Sequence, residues 1–154
     1  MTTRRTALWQ AWIWGPVAAY LGLIFHLSSQ SSVGWATPYP DVILHAAEYS
    51  VLGVLLARGL NDGLARPIPE RRFVLAWALC VIYAVSDEYH QTFVPGRTGD
   101  WRDALSDAAG TAAGLALLSL AQEQLTRRRP FAVVPAHIVK STALSNEAGG
   151  EGRE

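Results

Sequence analysis

No Asp, Glu, Lys or Arg occurs between Arg5 and Asp41, between Glu48 and Arg58, between Arg72 and Asp87, or between Asp107 and Glu123. These four uncharged windows constrain the fold more than any other feature. A soluble helical bundle needs a charged outer face on each helix, and these windows supply none. Each therefore reads as a membrane helix, and the chain as an all-α integral membrane four-helix bundle. The expected helices are Leu8–Leu27, Asp41–Leu60, Phe73–Gln91 and Trp101–Gln122. The first holds an apolar run of about 20 residues, enough to cross roughly 30 Å of hydrocarbon. The other three reach that length only with the polar residues at their ends. Trp9, Trp12 and Trp14 crowd the start of the first helix, as aromatic side chains do at a membrane interface. A cleaved signal peptide competes for this segment, but the apolar run is long and Trp-rich for one. We read it as an uncleaved helix.

Arginine distribution gives the chain an orientation. Met1–Thr6, Arg58–Arg72 and Arg127–Glu154 together hold eleven of the thirteen Lys and Arg residues. In a four-span chain these segments share one side, so the positive-inside rule puts both termini in the cytoplasm, with the chain in the inner (plasma) membrane. Residues 1–126 form the expected membrane domain and 127–154 a mostly disordered cytoplasmic tail, low in apolar residues. Zero net charge carries no footprint of nucleic-acid binding. Membrane lipids are the expected surroundings. Cys80 is the single cysteine, so no intrachain disulfide forms and its expected role is packing.

Chemistry concentrates in Ser86–Asp107, SDEYHQTFVPGRTGDWRDALSD. Pro95-Gly96 reads as a turn between two helices, with Pro fixing φ and Gly free to take φ > 0. Asp87, Glu88 and Gln91 share one helical arc, with His90 beside Asp87, and Asp103, Asp107, Gly110 and Gly114 recur at helical spacing. His45, Glu48 and Tyr49 occupy the matching end of the second helix. By the topology these residues meet at the outer leaflet. His45, Glu48, Tyr49, Asp87, Glu88, Gln91, Arg97, Asp103 and Asp107 are the candidate ligand-binding residues. Ionisable groups inside a membrane protein are functional candidates by default; an ion-pair network pinning the helix ends is the structural alternative. Arg97, with five donors, is the expected central cation bridging carboxylates. For acid–base catalysis the candidates are Glu88, Asp87, His45 and His90. A metal variant would draw on His45, Glu48, Asp87 and His90, but such spacings are common, so no metal and no cofactor is expected. The Gly110/Gly114 and Ala109/Ala113 faces permit close helix approach and predict a central fourth helix.

These residues also resemble the VanZ-like family of small bacterial membrane proteins. A first motif, D-K-x-x-H-x-x-x-Y-x-x-L-G, stands here as Asp41, His45, Tyr49, Leu52 and Gly53. The second, S-D-E-x-x-Q-x-F-x-P-x-R, stands as Ser86, Asp87, Glu88, Gln91, Phe93, Pro95 and Arg97. The third, D-x-x-x-N-x-x-G-x-x-x-G, stands as Asp103, Asp107, Gly110 and Gly114. Val42 replaces the usual Lys and Asp107 the usual Asn, which makes the cluster more acidic than the pattern. The family is named for a member linked to resistance to teicoplanin, a lipoglycopeptide. The resemblance implies a cell-envelope role in antibiotic resistance, with a lipid-linked cell-wall precursor or a lipoglycopeptide as partner. A membrane enzyme and a purely structural bundle are the alternatives. An acyltransferase label carried by some relatives finds no support, because no Ser or Cys sits beside a base in the sequence.

Overall fold

The computed structural model describes residues 7–31 and 40–127. The fold is all-helical, as expected: α1 (Ala7–Ser28), α2 (Asp41–Leu60), α3 (Glu70–Gln91) and α4 (Trp101–Arg127). The basic N-terminus and the expected tail lie outside the described residues. Contacts divide the chain into two units, Met1–Gln122 and Glu123–Glu154. In the second, the described residues are the final turns of α4, where Thr126 Oγ1 donates to the Glu123 carbonyl at 2.8 Å.

The helix starts follow from local chemistry. Pro40 and Pro69 precede α2 and α3 in extended conformation, and Asp41 and Glu70 sit in the first turns, where an acid meets the positive end of the helix dipole. Asp100 caps α4: its Oδ1 accepts from the backbone N–H of Arg102 at 2.9 Å, satisfying one orphan donor. The turn at Pro95-Gly96 takes the expected form, with Gly96 at φ 82°.

Three of the four helices, α1, α2 and α4, are long and apolar enough to cross a membrane. α3, the fourth expected span, falls short of that measure. Its final turns hold Asp87, Glu88 and His90, which lower its mean hydropathy. Asp87, Glu88 and Gln91 are nevertheless buried, so their polar groups are enclosed by protein.

The core is built from one stripe per helix: Ile13, Val17 and Ile24 on α1; Tyr49, Leu52 and Leu56 on α2; Ala76, Cys80 and Ala84 on α3; Leu115 on α4. Cys80 is wholly buried, consistent with a packing role. Large apolar residues such as Val74, Ile82, Leu117 and Leu120 point outward, where a soluble bundle would carry charge. Small residues set the helix spacing instead. A Cβ on Gly110 would overlap the backbone of Ala46, and one on Gly114 would lie 2.5 Å from the Ser50 carbonyl oxygen. The glycine face of α4 is thus pressed onto the backbone of α2. Thr111 lies in the same seam, its Oγ1 donating within α4 to the Asp107 carbonyl at 2.8 Å and standing 3.3 Å from the Tyr49 carbonyl oxygen of α2. Gly53 of α2 meets the Thr111 side chain. α2 is in contact with α1 and α3 and with α4 through these glycines, and α3 likewise contacts α1 and α2 and meets α4 where Trp77 Nε1 donates to the Ala108 carbonyl at 3.0 Å.

Pro16 lies inside α1 and has no N–H for the Trp12 carbonyl four residues back. Arg58 supplies the missing donors from α2, Nη2 to Trp12 O at 3.2 Å and Nη1 to Ile13 O at 3.0 Å. Unpaired backbone groups are costly in a bilayer, so this arginine compensates a defect written into α1.

Candidate functional site

The polar residues near the start of α2, the end of α3 and the start of α4 converge, and the end of α1 joins them. On α2, His45 projects toward α4, and its Nδ1 lies 3.1 Å from Asp107 Oδ1. Asp107 is fully buried because Gly110, three residues on, brings that part of α4 against Ala46, the neighbour of His45. The close glycine contact and the polar pair are therefore one packing event.

On α3, Gln91 bridges the two acids that precede it, donating from Nε2 to Asp87 Oδ2 at 3.2 Å and to Glu88 Oε1 at 3.3 Å. Their i, i+3 and i+4 spacing predicts this shared arc. Ser28 at the end of α1 donates to Asp87 Oδ2 at 2.7 Å. Glu88 Oε2 accepts from the backbone N–H of Asp100 at 2.8 Å, which ties α3 to the start of α4. Gly99 makes this approach feasible, since a Cβ there would sit 2.5 Å from the Glu88 carbonyl oxygen. Asp103 lies within electrostatic range of His45, Glu88 and Asp107, and Glu48 within range of His45, Asp87 and Asp107. One ligand atom each from His45, Glu88 and Asp107 falls within 4.8 Å of the other two. Two buried polar atoms in this region, Asp107 Oδ2 and the Tyr49 hydroxyl, have no hydrogen-bond partner among the described residues.

One expectation is corrected. Arg97 does not bridge carboxylates. Its Nε donates to Gln30 O at 3.1 Å and its Nη2 to Leu27 O at 3.3 Å. The last carbonyls of α1 lack intrahelical partners and carry the negative end of the dipole, and the 91–100 hairpin folds back within reach of them. The metal variant that spacing allows, His45, Glu48, Asp87 and His90, is not the expected reading, and it is a different set from the His45, Glu88 and Asp107 that the fold brings together. His90 turns to α1, with its Nε2 3.0 Å from Ser29 Oγ and its ring against Phe25. Asp87 is engaged by Ser28 and Gln91.

The sequence reading missed Ser28, Ser29 and Asp100. A serine after an apolar run looks like any loop residue. Ser29 beside His90 has the look of a nucleophile and base. Its hydroxyl proton, however, goes to the Phe25 carbonyl at 2.7 Å, which can only accept. His90 must then donate to Ser29 Oγ, and an imidazole that donates there cannot act as the serine's base.

An all-helical chain with three apolar spans and an acid-rich cluster at one end of its bundle is a multi-pass membrane protein. The VanZ/LLP1 family model matches residues 13–122, most of the chain, and the chain belongs to that family. No curated protein and no solved structure shows significant similarity to it.

Proposed function

We propose that this protein binds a headgroup rich in hydroxyls or amines at the outer leaflet, carried by a lipid-linked cell-wall precursor or a lipoglycopeptide, and so contributes to teicoplanin-type resistance. The observation that carries the reading is the convergence of Asp87, Glu88, Gln91 and Asp107, all buried, with Ser28 and His45 at one end of the bundle. Carboxylates accept hydrogen bonds from sugar hydroxyls and ammonium groups. With Arg97 committed to α1 carbonyls, the cluster favours those groups over phosphate. An apolar groove of about 410 Å³ between α2 and α4, lined by Ser50, Val51, Val54, Leu55, Gly114, Leu117 and Leu118, starts within a turn of Glu48 and would suit an acyl chain below such a headgroup.

In this proposal α3 also crosses the membrane, its acids shielded by the bundle, and both termini are cytoplasmic. Lipid mass spectrometry of the full chain purified in mild detergent tests the reading. A polar lipid should co-purify with the wild type and be lost from a folded Asp87→Asn variant. Identical lipid profiles for the two would remove the headgroup reading.

A further inference from the structure

We propose that His45, Glu88 and Asp107 form a binding site for a divalent cation of Zn²⁺ or Mn²⁺ type, which shares these residues with the proposed headgroup site but does not require a headgroup to bind. The three side chains come from α2, α3 and α4, and one ligand atom from each falls within 4.8 Å of the others. His45 Nδ1 and Asp107 Oδ1 are 3.1 Å apart. Two atoms each ~2.0–2.2 Å from one ion, at the angles of tetrahedral or octahedral coordination, stand roughly 3 Å apart, so this pair already has the spacing of neighbouring ligands. One imidazole nitrogen with two carboxylates is a mixed donor set suited to Zn²⁺ or Mn²⁺ and poorly suited to a soft ion.

The second observation is Asp107 Oδ2, a wholly buried carboxylate oxygen without a hydrogen-bond partner among the described residues. A buried carboxylate oxygen left bare is expensive, and a cation held by both Asp107 oxygens would satisfy it. The charge balance points the same way. Asp103 and Glu48 add negative charge around the three ligands, whereas the described cationic side chain among them is His45 alone. Arg97 faces α1. Glu88 is held from outside by Gln91 and the Asp100 N–H, as metal-bound carboxylates usually are. Asp107 stands where the motif pattern has Asn, so this chain gains a full negative charge and a second acceptor oxygen at the innermost position.

The test uses the full chain with its affinity tag removed, purified in detergent, stripped with EDTA and titrated with Zn²⁺ or Mn²⁺ by calorimetry. We expect one saturable ion per chain. Affinity should fall about tenfold in Gln91→Ala and by about 100-fold or more in Asp107→Asn, beyond the roughly 10–100-fold typical of an outer partner. His26→Gln, an exposed histidine away from the cluster, should leave it unchanged. A folded wild type that binds neither ion saturably overturns the site. So does binding that His26→Gln removes and Asp107→Asn leaves intact. Should Asp107→Asn lose native helicity by circular dichroism, Glu88→Gln takes its place with the same two outcomes.

Discussion

Replacing Gly110 with alanine adds one methyl group at the seam that holds the polar cluster together. In an isolated helix the change stabilises by about 0.5–1 kcal/mol, since glycine loses more backbone entropy. Here the new Cβ meets the oxygen, Cα and carbonyl carbon of Ala46. No flexible side chain can yield, so α2 and α4 must separate, and a gap of 0.5–1 Å already forfeits a quarter to a half of each dispersion contact along the seam. Overpacking of this kind costs about 1–3 kcal/mol. The same separation stretches the His45–Asp107 contact from 3.1 Å, and a hydrogen bond to a charged group is worth about 1.5–3 kcal/mol. We expect a net loss of roughly 2–4 kcal/mol after the helix-propensity gain. Equilibrium unfolding in mixed detergent and dodecyl sulfate micelles measures it. Leu117→Ala serves as the reference, since Leu117 is 68% exposed and lipid replaces its lost contacts. A Gly110→Ala protein as stable as Leu117→Ala would refute the tight α2–α4 seam.

Further outcomes follow from the hydrogen bonds. Thr111→Val keeps the shape and removes a hydroxyl that donates mainly within α4, to the Asp107 carbonyl at 2.8 Å; even a full interhelical bond in a membrane averages only about 0.6 kcal/mol, so a loss well above 2 kcal/mol in the same unfolding assay would contradict this minor role. Arg97→Ala should lower stability by about 1 kcal/mol, with Arg97→Lys recovering part of it, because carbonyls accept from any cation. Arg97→Lys as damaging as Arg97→Ala would instead indicate that the fork itself is required. For orientation, Thr98→Cys should react with an impermeant maleimide in intact cells and Ala65→Cys should not. Cys80 is buried and stays silent, and the reverse labelling pattern would invert the topology.

The helices and their order were legible in the sequence, because lipid imposes a one-dimensional rule: a spanning segment must be long, apolar and internally hydrogen-bonded. The charge-free windows obey it, and the i, i+3, i+4 spacing of Asp87, Glu88 and Gln91 likewise fixed their shared face. The glycine motif announced a close contact, since only packing rewards such residues in a membrane. What the sequence could not supply was the partner across each contact. Arg97 looked like a match for the carboxylates because charge is visible in sequence and an unpaired backbone carbonyl is not; the end of α1 claimed it. Asp107 paired with His45 because the glycines let α4 approach α2 closely at that level. Periodicity along one helix determines which side chains share a face; which faces meet depends on how far each backbone can approach its neighbours, and that is a property of the assembled bundle alone.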